Sequence, residues 1–497
     1  MLFNSIEYLI FLPVVLCLFW LAPKWSRPLI LLVASYYFYM SWKASYGLLL
    51  AALTLGNFFV ALLIDRLAAS KKRLIFIAGI ALNLGVLALY KYTNFLMECV
   101  WAALTNISAT HDSFSGPAPL LPILLPLGIS FFAFEFIHYL TDVYRGKKPI
   151  ANLVRFGVFA AFFPSQIAGP IKRFEDFDPQ LQALPKPTSD TISDASWLIV
   201  RGLFKKVALG DNLAAIVQTG FAAPAAMGTL DAWLCVLAFT WQIYFDFSGY
   251  TDIGRGSALL FGFQLPENFN LPYLARNIQD FWHRWHISLS TWLRDYLFIP
   301  LGGSRAGRFN TIRNLMITML LGGLWHGAAW HFVLWGALQG VALAITSIWH
   351  KFAEKHAALN AVRKSPAWDA GAWLGTFVLV MIGWVVFRAE NMEQALAVYQ
   401  GMFSWRAGTE PVESVALQFL HSTLPVSLVL YTAIWLGIVW MQKRAVQGTV
   451  VTPPERFDLT WWFRPPLTVR LGFYAVLSFL IVGYASPANM PFIYFQF

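Results

Sequence analysis

One imidazole, His326, stands in Gly322-Gly323-Leu324-Trp325-His326-Gly327, inside an apolar stretch that runs from Leu315 to Trp349. An ionisable side chain is expensive to place in such a stretch and marks a functional site by default. With an unperturbed pKa of about 6.5, imidazole is the side chain best matched to take a proton near neutral pH, as when a hydroxyl attacks an acyl carbonyl. Gly322, Gly323 and Gly327 are expected to weaken helix continuity around it and to let other groups approach the backbone closely. The competing reading is a core histidine, satisfied by hydrogen bonds at a helix bend. His331 follows five residues later, roughly 140° further around a continuous helix, and is read as structural.

A second pair of imidazoles occurs in Phe281-Trp282-His283-Arg284-Trp285-His286-Ile287-Ser288. Three residues apart, His283 and His286 would take neighbouring positions on one helix face. That spacing also serves metal sites, but Asp280 and Asp295 do not complete a recognisable ligand set. Interfacial residues bonded to headgroups or backbone are the plainer alternative. A Gly-x-Ser-x-Gly elbow for a serine nucleophile and a phosphate-cradling Gly-x-x-x-x-Gly-Lys-[Ser/Thr] loop are both missing from the sequence. Asp176-Phe177-Asp178 fits the Asp-x-Asp of many metal-dependent glycosyltransferases, but no nucleotide-binding domain surrounds this three-residue match. Cys17, Cys99 and Cys235 lie in apolar surroundings without metal-type spacing and read as small core residues.

The elements that must position these groups are membrane helices. Only 12% of the 497 residues are charged, against about 25% in soluble domains, and the mean hydropathy is +0.57. The 22 Trp and 18 Tyr suit interfacial belts, and the formal charge of +10 suits anionic headgroups. Nucleic acid is not an expected partner, because the basic residues lie in short loops between apolar runs. The run Tyr8 to Leu21 lacks the basic flank and cleavage site of a signal peptide and is expected to be a retained first span.

Apolar segments near 5–22, 28–41, 46–64, 74–90 and 119–141 alternate with loops of differing charge. Basic loops at Lys24 and Arg27, at Arg66 to Arg73 and at Arg145 to Arg155 are expected in the cytoplasm, with the N-terminus outside. Val154–Ala168 is expected to dip in and return, Phe174–Ser193 to be a polar connector, and Trp197–Leu209 to lie at the interface. A span near 230–245 precedes Tyr244–Asp252, which is too polar for lipid and too aromatic for a solvated loop. Further spans near 312–325, 328–349, 371–388, 425–441 and 470–485 bring the expected total to about ten to twelve. No internal inverted repeat is evident.

Arg284-Trp285-His286-Ile287-Ser288-Leu289-Ser290, Trp292-Leu293-Arg294-Asp295-Tyr296 and Ile299-Pro300-Leu301-Gly302-Gly303 together resemble the central signature of the membrane-bound O-acyltransferase superfamily, in its bacterial alginate O-acetyltransferase branch. Pro126–Ser130, Tyr139–Gly146, Phe163-Pro164, Ala168–Ile171, Tyr244–Tyr250, Asn268–Tyr273, Leu324–Gly327 and Phe492–Phe497 match in the same order, so the resemblance covers nearly the whole chain.

The resemblance implies an all-α polytopic membrane protein, a ring of helices around a thin central funnel, with His326 in a tunnel joining the two sides of the membrane. It implies one domain over 1–497, made of N-terminal spans (1–150), a core carrying both histidines (151–349) and C-terminal spans (350–497). His326 would act as general base or proton relay, and His286 would position the donor or assist near the cytoplasmic mouth; no role carries over to His283. Asp246, Ser248, Asn270 and Trp325 are expected to line the chamber. No bound cofactor is expected. The implied donor is acetyl-coenzyme A from the cytoplasm, and the implied partners are a periplasmic acetyltransferase or acetyl carrier, a polysaccharide acceptor and membrane lipid, in the bacterial inner membrane. Cellulose, peptidoglycan or D-alanyl transfer to teichoic acid are the alternatives within the family. A flippase or exporter of lipid-linked sugar would need neither coenzyme A nor His326, and a scaffold within a polysaccharide synthase complex is the third alternative.

Overall fold

The structure, a computed structural model, describes residues 1–106, 116–167, 169–305, 307–405, a few positions between 407 and 429, and 467–483. The expected span near 425–441 and the C-terminal motif Phe492–Phe497 lie outside the described residues, apart from single positions at the start of the former. Every regular element among the described residues is a helix. Among the described residues, four helices are long and apolar enough to cross a membrane by length and composition: Ala44–Arg66, Ala69–Thr105, Trp330–Glu354 and Pro366–Arg388. The chain divides into two compact units, Met1–Pro185 with Trp292–Gly336, and Lys186–Thr291 with Ala337–Phe497.

In the first unit, α1 (Ile6–Leu21) starts where the Ser5 hydroxyl accepts the Tyr8 amide, at 3.3 Å. Next come α2 (Arg27–Met40), α3 (Ala44–Arg66) and α4 (Ala69–Leu87). Asn57 on α3 and Asn83 on α4, both buried, exchange amide hydrogen bonds of 3.0 and 2.7 Å, a polar clasp between two apolar helices. Residues 88–92 form a π-helical turn that leads without a break into α5 (Thr93–Thr105).

The segment 119–141 is not one span. Its first ten residues are not helical, and α6 (Ile129–Tyr144) starts only after Gly128, which is left-handed at φ +71°. Pro122 and Pro126 cannot donate backbone hydrogen bonds, which explains the late start. Over 154–167 the helix is interrupted: α7 (Leu153–Ala161) and α8 (Phe163–Gln166) meet at buried Phe162. Within the expected polar connector, Phe174–Ala183 is helical (α9), with Phe174, Phe177 and Leu181 buried on one side.

The second unit contains α10 (Ser189–Leu203), a π-helical run over Phe204–Gly210, α11 (Asp211–Ala222) and α12 (Thr229–Leu260). Here Tyr244–Asp252, too polar for lipid and too aromatic for a solvated loop, is the middle of α12, buried from Phe245 to Asp252. Two local features explain this. Asp246 and Asp252 are neutralised in place by lysine and arginine, and glycines let α10 come against α12 backbone to backbone. A Cβ on Gly249 would lie 2.8 Å from the Gly202 carbonyl, and one on Gly256 would lie 2.7 Å from that of Ala195. Small residues seven apart on both helices thus form the crossing.

The helices that carry the histidine motifs are α13 (Ile278–Arg284), α14 (Ile287–Leu293), α15 (Arg308–His326) and α16 (Trp330–Glu354). After them come α17 (Ala357–Val362), α18 (Pro366–Arg388), α19 (Met392–Phe403) and α20 (Leu467–Gly483).

Candidate active site

His326 is the last residue of α15. The expected loss of helix continuity around His326 falls at Gly327, whose backbone is extended at φ −159°, and not at Gly322 or Gly323, which the helix runs through. The other half of the expectation holds. A Cβ on Gly323 would sit 2.2 Å from the Phe332 carbonyl, and one on Gly336 would sit 2.3 Å from the Met319 carbonyl, so the start of α16 lies directly against α15. The break at residues 327–329 also places His331 on a different helix, so the angle drawn for a continuous one does not apply. His331 is buried against the Phe332 ring at 4.3 Å.

The His326 side chain, 6% exposed, is held edge-on by two indoles, Trp325 at 4.9 Å and Trp335 at 5.1 Å. Trp325 is buried in turn against Phe131 and Phe134 of α6, at 5.2 and 5.3 Å, and Phe134 stacks on Trp292 at 3.7 Å. An imidazole fixed between rigid rings has few rotamers to choose from, which suits a group that must meet one reacting atom. Lys91 and Tyr92, on the π-helical turn, reach the carbonyls at this end of α15. Sequence reasoning missed both; the available signal was a lysine within an otherwise apolar run.

His283 and His286 do not share a helix face. Helix α13 ends at Arg284, leaving His283 exposed and His286 fully buried at a left-handed φ of +41°. A non-glycine residue held there is strained and persists only where its surroundings over-determine it. Those surroundings are residues 268–270, which run alongside. The Ile287 amide donates to the Asn268 carbonyl at 2.9 Å, and the Asn270 amide donates to that of Arg284 at 2.9 Å. Buried Asn268 also accepts on Oδ1 from the Ser288 amide and hydroxyl, at 3.3 and 2.6 Å. Phe247 meets the His286 ring edge-on at 4.7 Å. Burial pushes this imidazole down to about 3, so it is neutral near pH 7 and offers a ligand hydrogen bonding instead of charge.

The remaining expected residues are distributed as follows. Asp246 pairs with Lys206 at 2.7 Å, and Lys206 also pairs with Asp211 at 2.7 Å. Ser248 is buried two positions further along α12. Asn270 is half-buried and engaged by its backbone with Arg284. The second unit therefore holds His286, Asp246, Ser248 and Asn270, and the first holds His326 and Trp325. Among the described residues no three of His, Cys, Asp or Glu are grouped to hold a metal ion.

A model of the membrane-bound O-acyltransferase family matches residues 35–383. The chain belongs to this family and is an all-α membrane O-acyltransferase. It is 39% identical to a Pseudomonas putida protein named "Probable alginate O-acetylase AlgI", with both chains covered end to end. A protein of the same name in Pseudomonas aeruginosa is 44% identical over 82% of this chain and 75% of its own. The peptidoglycan O-acetyltransferase of Helicobacter pylori is 37% identical over 75% of this chain and 73% of its own.

Proposed function

We propose that the protein is an inner-membrane, multi-pass O-acetyltransferase that takes acetyl from cytoplasmic acetyl-coenzyme A for O-acetylation of an extracellular polysaccharide of the alginate type. The observation that carries this reading is His326: a buried imidazole clamped between two indoles at a helix end, in a chain 39% identical along its whole length to the protein named "Probable alginate O-acetylase AlgI". In the reaction a hydroxyl oxygen attacks the acetyl carbonyl carbon while its proton passes to the His326 ring. The bond from carbon to sulfur then breaks, and the leaving thiolate takes up a proton. Neutral, buried His286 is the donor-positioning residue, with Ser248 and Asn270 in the same unit, and Trp325 flanks His326 in the other. The acceptor is either the polymer itself or a periplasmic acetyl carrier that hands the group on. The logic is physical: coenzyme A is too highly charged to cross the bilayer, whereas an acetyl group is not.

The test is donor handling by purified protein. Wild type is expected to bind or hydrolyse acetyl-coenzyme A, and His286→Ala to weaken this by at least about tenfold, the scale of a lost hydrogen bond to a polar ligand atom. His331→Ala should change it little. Undiminished donor handling in His286→Ala would remove that residue from the site, and a wild-type protein indifferent to acetyl-coenzyme A would overturn the donor.

Topology has its own test. In a background lacking Cys17, Cys99 and Cys235, a cysteine at position 113 should react with an impermeant maleimide in intact cells, while one at position 71 should stay protected. The reverse pattern would invert the orientation derived from the basic loops.

A further inference from the structure

The helix that ends at His326 is finished by residues from elsewhere in the chain. Because Gly327 turns extended, its amide donates back to the Gly323 carbonyl at 3.4 Å, and the carbonyls of Leu324, Trp325 and His326 are left beyond the last bond of the helix. All three are met from the π-helical turn at residues 88–92. The Tyr92 hydroxyl donates to the Leu324 carbonyl at 2.7 Å. The Lys91 ammonium donates to the Trp325 carbonyl, to the His326 carbonyl at 3.1 Å and to the Ser130 hydroxyl at 3.3 Å.

A lysine midway along a 37-residue apolar helix is costly, and it persists here by meeting the partners best suited to a cation: the negative end of a helix dipole and its orphan carbonyls. The π-helical turn widens the backbone by one residue just where this happens, a feature that recurs at functional sites.

We propose that Lys91 is the positioning residue of the acyl-transfer reaction. By capping the carbonyls of His326 and its neighbour, and with Tyr92 holding the one before, it sets the direction in which the imidazole leaves the helix end. This inference rests on the reading of His326 as the proton acceptor. The indoles of Trp325 and Trp335 fix the ring sideways; the Lys91 cap fixes the backbone from which the ring springs. Without it the last turn of α15 frays, and a displacement of about 1 Å at a reacting group costs roughly a hundredfold in rate.

The full-length protein in native-like membranes is compared as wild type, Lys91→Met, Lys91→Arg, Tyr92→Phe, His326→Gln and the Lys91→Met/His326→Gln double variant, reading kcat and donor KM for acetyl transfer. Lys91→Met is expected to lower kcat about a hundredfold with donor KM within about twofold, as for a group acting only on transition-state geometry. Lys91→Arg, which keeps charge and donors, should recover most of that loss, and Tyr92→Phe should lower kcat several-fold with unchanged KM. In the double variant Lys91→Met should remove nothing beyond the loss from His326→Gln, because it acts through that residue.

Wild-type kcat in Lys91→Met while His326→Gln is inactive would overturn the positioning role alone. Full activity in His326→Gln would overturn the underlying reading of His326. If Lys91→Met fails to insert, Tyr92→Phe and Lys91→Arg decide: a wild-type kcat in Tyr92→Phe, or a Lys91→Arg protein that inserts but stays inactive, overturns the proposal.

Discussion

His326→Gln is expected to insert at wild-type level and to lose acetyl transfer by ~10²–10⁴-fold, the usual worth of a general base. Glutamine keeps approximate volume and a hydrogen-bonding end between Trp325 and Trp335, but it cannot cycle a proton near neutral pH. The packing cost should therefore be small while the chemical cost is large. The check is the acetyl content of the extracellular polymer in a strain whose only copy is the variant, at matched membrane protein level. Wild-type acetylation would reduce His326 to a structural residue. His326→Ala is the weaker companion, because it also empties the space between the two indoles and mixes a packing loss into the result.

Much of this arrangement was legible in the sequence. Helices α1, α2 and α3 fall within two residues of the apolar runs at 5–22, 28–41 and 46–64, because a stretch of uniform hydropathy in lipid has few alternatives to helix. His326 was visible as an ionisable group in apolar company, whereas His286 stands among charged and aromatic residues and was singled out by the resemblance. What escaped depends on partners distant in sequence. Tyr244–Asp252 fits neither lipid nor a solvated loop, and its place inside a buried helix was hidden because the neutralising cations, Arg201, Lys205 and Lys206, stand some 40 to 50 residues earlier. The spacing of His283 and His286 suggested a shared face, but the pairing of residues 268–270 with 284–288 ends the helix between them. Lys91 showed only as a lysine in an apolar run; what it does was hidden, because its partners, the carbonyls of Trp325 and His326, are backbone atoms more than 230 residues away. Periodicity reports which face is apolar; it carries no record of which buried charge meets which.

Lys206→Met is expected to be the most destabilising substitution in the second unit. Lys206, Asp246 and Asp211 are all buried, and the ammonium lies 2.7 Å from an oxygen of each carboxylate. Taking it away strands two carboxylates in an apolar interior, and breaking a buried ion pair from one side costs about 3–5 kcal/mol. The result should appear as a lower unfolding temperature in detergent and reduced membrane abundance. Lys206→Arg should fall between wild type and Met, since it keeps the charge but must fit a bulkier fork beside Gly249, where a Cβ would already lie 3.1 Å from the Lys206 amide. The same series judges Asp246. As an ion-pair partner, Asp246→Asn should lose stability, with the surviving activity per folded molecule close to wild type, because Asp211 still holds the lysine. As a group facing substrate, it should instead lose turnover at unchanged stability. The direct contact with Lys206 favours the first outcome, and a stable but inactive Asp246→Asn protein would return that carboxylate to the reaction space.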